Sequence, residues 1–372
     1  MQDVPREHNP LSAIDEYLVH NYPLPQRVMY TPDPRAYERN WFTCQSGAGD
    51  LFVVTGEGFY PNLGTAEAYA IVNLRGKHIH VRAHRRLGDN RMDMRVGPLN
   101  FEVVQPFKEW RLTLGENANG IAYDLRWHDT KRAVFHNFGG FPYGIGGAHS
   151  DDLVGYETFG RVEGWVSVEG QRFEIDAQTH CGSRDHHWGT RDGVGGRGHA
   201  RNGVGQDTPA GFQWVEFKDW AIWGTRVLYN LGDPRPGAAR ISRFERQLTF
   251  DPVSHVFTGG TITSFLENGE KKVLQWRRLG DQTAFLRCGM YGGRQGGTPD
   301  GDIWHGMYIG ENVVAGGVHD VTKPEVQAAL AGLDDHLCEV TCDGEVAYGI
   351  FEPYEPVCWE ACRDGRRGYA LL

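Results

Sequence analysis

The chain lacks any apolar run long enough to cross a bilayer as a helix. Its first residues, Met1-Gln2-Asp3-Val4-Pro5-Arg6-Glu7, lack the apolar core of a secretory signal. Cysteine is scarce: 7 among 372 residues, an odd number and scattered. That usage argues against a disulfide framework and for a reducing cytoplasm. Positive charge is also in deficit, with 38 Lys and Arg against 48 Asp and Glu, a formal net charge of −10. A nucleic-acid binder carries a broad basic footprint, so that class is set aside. The Arg-rich piece from His78 to Arg86 is a local exception that reads as one solvated strand. No Gly-x-Ser-x-Gly nucleophile elbow and no P-loop occur.

What is present points to β-structure. The hydrophobic fraction of 40% and aromatic fraction of 12% are too high for a disordered chain. Fifty glycines, 11 tryptophans and many short β-rich runs describe strands joined by turns. The length suggests two domains. Residues 1–40 read as a polar lead-in with a short helix over Leu11–Val19. Strand candidates begin after Trp41 and include Phe52–Val54, Glu67–Asn73, His78–Ala83, Trp110–Leu114 and Ile121–Trp127. Gly160–Val168 and Arg172–Ala177 follow, with Glu169-Gly170 as their turn. A glycine-rich stretch from Gly193 to Gly211 separates this first β-domain, residues 41–200, from a second over 201–372. The second half holds strands at Phe212–Phe217, Trp220–Tyr229, Ile241–Phe250, Val256–Phe265 and Lys272–Arg278, and later at His336–Cys342 and Val346–Phe351. Thr322-Lys323-Pro324-Glu325 is a capping box that predicts a helix over Val326–Leu333.

Chemistry concentrates in Arg184-Asp185-His186-His187-Trp188-Gly189-Thr190-Arg191-Asp192. Histidine titrates near neutrality, and a neighbouring carboxylate can orient its ring or stabilise its cation. If the stretch is extended, Arg184, His186 and Trp188 share one face and Asp185 and His187 the other. A polar, aromatic-capped hairpin end closed by Asp–Arg pairs is the structural reading of the same residues.

Arg-Asp-His-x-Trp-Gly, here Arg184 to Gly189, resembles the signature of the lipocalin-like hydratase superfamily, which includes AttH-like proteins and carotenoid 1,2-hydratases. The segment Gly155 to Gly164 resembles bacterial members of that group with poorly assigned functions. The likeness is clearest over roughly residues 150 to 230 and supports His186 and Trp188 more than His187, which fills the variable position. It implies an all-β fold of two lipocalin-like antiparallel barrel or sandwich domains packed together, with few short helices and the active site near their junction. It also implies a further aromatic and acidic pair downstream, mapped here to Trp214 and Glu216. On a strand these two face the same way, and an aromatic wall raises a carboxyl pKa by desolvation. Tyr156-Glu157 is a second such pair. The loop Phe138 to Gly147, with Phe141 and Tyr143, is placed to border a ligand.

Other motifs carry less. Gly193-Val194-Gly195-Gly196-Arg197-Gly198 fits G-x-G-x-x-G, but poor helix formers follow it, so no dinucleotide is expected. His78 and His80 share a strand face with His84, yet His84 lies roughly 13 Å further along an extended strand. Arg82 on the same face would repel a cation, and no metal is assigned. Cys338 and Cys342 bracket a strand, and with Cys358 and Cys362 read as buried thiols rather than a zinc framework.

The resulting expectation is a cofactor-independent acid/base lyase, either a hydratase or dehydratase or a C–O or C–C cleaving and aldehyde-releasing enzyme. Its substrate would be a small hydrophobic isoprenoid or aromatic molecule such as a plant-phenolic dimer. His186, held near Asp185, moves the proton, and Glu216 or Glu157 takes the complementary role. Trp188, Trp214, Tyr156, Tyr143, Phe141 and Arg184 contact the substrate. The rivals are a pocket-shaping isomerase or cyclase and a non-catalytic carrier of apolar ligands. A homo-oligomer is compatible with this reading.

Overall fold

The apolar alternation does build strands, and hydrogen bonding sorts them into two antiparallel sheets. The computed structural model describes residues 11–20, 31–137, 152–191, 194–196, 211–224, 226–230, 239–290, 303–353 and 368–371. The first strands are β1 (Ala36–Ser46), β2 (Leu51–Tyr60), β3 (Thr65–Leu74), β4 (Lys77–Arg86), β5 (Arg95–Val96) and β6 (Leu99–Gln105). Then come β7 (Glu109–Leu114), β8 (Ile121–Asp129), β9 (Val134–Asn137), β10 (Asp152–Val168), β11 (Gln171–Ile175) and β12 (His180–Thr190). The second half contributes β13 (Gly211–Glu216), β14 (Trp220–Trp223), β15 (Arg226–Tyr229), β16 (Ala239–Phe250), β17 (Phe257–Leu266) and β18 (Lys271–Phe285). It ends with β19 (Val313–Asp320), β20 (Asp334–Cys342), β21 (Glu345–Pro353) and β22 (Gly368–Leu371).

The first sheet runs β19-β4-β3-β2-β1-β12-β10-β8-β7-β6-β5 and curls into an 11-strand half-barrel, with β9 and β11 paired to β10. The second closes on itself through β15 and β16 into an 8-strand barrel, with β22 added beside β16. Thus β19, although it follows β18 in sequence, leaves the barrel and completes the edge of the half-barrel against β4. Among the described strands after residue 200, β19 is the one that joins the first sheet.

Two-residue turns set the register. Arg75 and Gly76 both take positive φ, 48° and 80°, between β3 and β4, as do Glu169 and Gly170, 51° and 82°, at the expected turn. Positive φ at both positions matches the right-handed twist of the strands it joins. Over Leu11–Val19 the chain forms a 3-10 turn, Ala13–Glu16, rather than the expected helix; Ser12 and Asp15 cap each other there. The α-helix α1 is Pro324–Leu330, shorter than expected. Its N-cap is Lys323, because Thr322 is tied back to Asp320. Trp220–Tyr229 divides into β14 and β15 around Gly224.

β1, β2 and β3 are buried along their whole length because both faces are covered. One face, with Phe42, Val53 and Val72, fills the half-barrel. The other, with Trp41, Phe52, Val54 and Ile71, packs against Trp214, Trp223, Leu337 and Ile350 of the barrel. The barrel has its own interior around Phe244, Phe257, Trp276 and Val340. Cys338 and Cys342 belong to that interior, as apolar thiols should. Cys358 and Cys362 lie outside the described residues. Among the described residues no helix is long and apolar enough to cross a membrane.

Candidate active site

β12 is extended and lies between β1 and β10, so its side chains alternate between two buried worlds. Arg184, His186 and Trp188 face into the half-barrel. In register they oppose Phe42, Asn40 and Glu38 of β1, and Thr158, Tyr156 and Val154 of β10. Asp185 and His187 point the other way, toward the junction with the barrel. The alternation therefore separates Asp185 from His186.

On the inner face the partner of His186 is Glu38, whose Oε1 lies 3.0 Å from Nε2. The same oxygen lies 2.7 Å from Nδ1 of His20. His20 Nε2 is 2.9 Å from Asp15, and its ring stacks on Trp188 with centroids 3.5 Å apart. On the other side, His186 Nδ1 is 3.2 Å from the Tyr156 hydroxyl, which also bonds Glu16. Glu16 accepts from Arg184 at 3.0 Å and from the Trp110 indole at 2.7 Å. Arg184 spans to Asp129 with two bonds, at 3.0 and 2.9 Å. An unbroken hydrogen-bonded chain thus runs from Asp15 to Asp129 through Glu38, His186 and Tyr156. Trp188, Phe135 and His20 are only partly buried and rim its outer end.

Burial and partners set the protonation of this chain. Burial pushes the Glu38 carboxyl up, but the bonds from His186 and His20 outweigh it and hold Glu38 at about 2. Burial lowers the His186 pKa, against the pull of Glu38, so the ring is neutral near neutrality. His20 goes the other way: burial opposes its charge, yet Glu38 and Asp15 raise its pKa. Next to this group, Glu57 accepts from Asn40 at 3.1 Å. Burial drives Glu57 well above the usual carboxylate range. Two carboxyls on one face are therefore pushed in opposite directions, a pattern expected of an acid and a base sharing a site.

The outer face holds the remaining sequence candidates. Asp185 accepts from Arg39 at 2.8 Å, and burial raises its pKa to about 6. Glu157 bonds His187 at 2.8 Å and accepts from the Trp214 indole at 3.2 Å. Burial, then the charge of Asp185, pushes Glu157 well above its ordinary range. Glu216 is held by Lys131 at 2.5 Å, by Arg161 at 3.0 Å and by Thr130. It borders a separate groove of about 810 Å³ with Arg161, His180 and Tyr348. So Tyr156, Arg184 and Trp188 gather with His186, while Asp185, Glu157 and Trp214 gather behind it and Glu216 stands elsewhere. Phe141 and Tyr143 lie outside the described residues.

Among the described residues, three groups bring ligand-type atoms within 4.8 Å of one another: His20, Glu38 and His186; His136, Glu157 and His187; and His78, His80 and Cys288. The last adds a thiol to the strand pair seen in sequence. His84 turns instead toward Glu67, 3.6 Å away.

A family model matches residues 11–227, more than half of the chain. The chain belongs to that family, described as a family of unknown function (DUF8625). No curated protein matches it in sequence. Among solved structures, it is similar to a candidate AttH protein from Nitrosomonas europaea, with 12% identity and a TM-score of 0.44 over 86% of this chain and 93% of that one. It is similar also to kievitone hydratase from Nectria haematococca, with 12% identity and a TM-score of 0.38 over 96% and 97% of the two chains.

Sequence reasoning missed Glu16, His20, Glu38 and Glu57. Each is distant in sequence from the motif and reaches His186 only through sheet register or the 3-10 turn. Glu38 had one readable signal, a carboxylate in an otherwise strand-like run around Trp41.

Proposed function

We propose that this protein is an acid/base lyase acting on a small hydrophobic molecule, with His186 as the proton-transferring group. The observation that carries the reading is the chain His20–Glu38–His186–Tyr156–Glu16, buried at its centre and ending beside the partly buried Trp188. A neutral imidazole anchored by an anionic carboxylate accepts a proton and returns it, and the carboxylate stabilises the cation in between. Glu38 takes the role first sought in Asp185.

In the hydration direction, a proton goes to an alkene carbon, water closes on the developing cation, and the proton lost by water returns to the relay. Dehydration runs the same steps backwards. Loss of a small aldehyde from an aromatic substrate draws on the same groups: removal of the hydroxyl proton turns that C–O into the aldehyde carbonyl as the C–C bond breaks, and the relay returns the proton to the carbon that keeps the electron pair. The π face of Trp188 stabilises positive charge in the substrate. Tyr156 and Arg184 hold the inner end of the relay. The chemistry needs no cofactor, since protein groups supply both proton donor and acceptor.

The test is turnover of a panel of isoprenoid alkenes and phenolic dimers, followed by mass spectrometry. The expected result is a mass change of one water, or loss of a small aldehyde. His186→Ala should reduce the rate by roughly 100- to 10,000-fold, the usual worth of a general acid/base. Turnover that survives His186→Ala favours a pocket-shaping isomerase, and tight binding without turnover favours a carrier.

A further inference from the structure

Behind His186, on the junction face, a second set of donors converges. His187 Nε2 lies 2.8 Å and His136 Nε2 3.5 Å from the same oxygen, Oε1 of Glu157. The three residues come from neighbouring strands β9, β10 and β12, and all are buried. Gly155 pairs with both His136 and His187 and stands between them. A Cβ at that position would come within 2.4 Å of His187 Cδ2, so the missing side chain keeps the space between the rings open.

The surroundings orient each donor. The Trp214 indole holds the other oxygen of Glu157 at 3.2 Å. His136 stacks on Trp223 with centroids 4.3 Å apart. Asp185 Oδ2 lies 3.5 Å from His187 Nδ1 and 2.8 Å from Arg39. Arg39 also donates to His187 Nδ1 at 3.1 Å, which puts the ring proton on Nε2. An ion at Nε2 moves that proton to Nδ1. Asp185 is then the acceptor, and Arg39 stays on Asp185. Outer carboxylates of this kind accompany metal-bound imidazoles.

We infer that His136, Glu157 and His187 form a binding site for a divalent first-row transition ion such as Zn²⁺, with Asp185 as the outer partner of His187. Two imidazoles and one carboxylate suit such ions and leave further coordination positions open. The site lies on the opposite face of β12 from His186, so its test reads metal binding and not turnover.

Titration with Co²⁺, followed by visible absorption, and with Zn²⁺, followed by calorimetry, should show one equivalent bound by the intact protein. His136→Ala and Glu157→Gln should each weaken that binding at least roughly 100-fold, as loss of a direct ligand should exceed the 10- to 100-fold cost of an outer partner. Cys288→Ser and Glu38→Gln, which alter the two other donor groups, should leave it in place. The intact protein alone provides a check independent of folding of the variants: zinc-soaked crystals should show an anomalous peak between His136 and His187. No bound ion, a peak elsewhere, or binding that survives both His136→Ala and Glu157→Gln overturns the assignment.

Discussion

Glu38 is the residue on which the inner face depends. Its folded pKa of about 2 lies below the ordinary 4.5, so its stabilisation is complete above pH 4.5 and is lost as the pH falls toward 2. A gap of that size corresponds to about 3 kcal/mol. His20 has the opposite sign: its pKa is raised above 6.5, so its contribution is full below that value and fades as the pH rises through the folded pKa. Denaturant unfolding across pH should therefore show Glu38→Gln less stable by about that amount near pH 6, with a flatter acid limb than the wild type. An unchanged acid limb would mean that Glu38 is not the group holding the relay. A paired substitution separates the faces of β12: His186→Gln should remove turnover, whereas His187→Gln should remove metal binding and leave most turnover. At this scale the sequence was half legible. The alternation of Arg184, His186 and Trp188 against Asp185 and His187 follows from strand geometry alone. Which acid meets which histidine does not, because Glu38 and Glu157 arrive by pairing across strands.

Among the elements, β10 and β12 approach so closely that one position tolerates no side chain. A Cβ at Gly155 would fall 2.2 Å from the carbonyl oxygen of His186. Gly155→Ala should lower the unfolding temperature by several degrees or more, consistent with the 1–3 kcal/mol typical of overpacking. It should also impair both faces of β12 together, which a turnover assay and a metal titration on the same sample would reveal. Most strands were legible because apolar alternation and Gly-containing turns mark them, as at Glu169-Gly170. The lead-in was not. Leu11–Val19 has helical spacing, but the buried bonds of Glu16 to Tyr156, Arg184 and Trp110 fix a single tight turn. Tertiary contacts outweigh a weak local preference there.

For the whole molecule, the β-rich texture was readable in the residues and the pairing of two barrel-like parts was implied by the family resemblance, whereas the path of β19 was not. Its residues, Val313 to Asp320, carry two glycines and no clean apolar alternation, so neither the strand nor the sheet it joins is marked locally. Since β19 covers the β4 edge, a fragment ending near residue 227 should expose that edge and self-associate. Size-exclusion chromatography should find it aggregated, and co-expression with residues 228–372 should recover soluble material. A monodisperse fragment would show that β4 protects itself.

The same crossing has a consequence for synthesis on the ribosome. The half-barrel is encoded almost wholly in the first half of the chain, yet its edge strand leaves the exit tunnel only after the eighteen described strands that precede it. At a usual elongation rate of about 5–20 residues per second, the gap between β12 and β19 lasts on the order of ten seconds. During that interval the nascent chain carries an unfinished sheet, and a chaperone that shields backbone edges has its greatest purchase on this protein then.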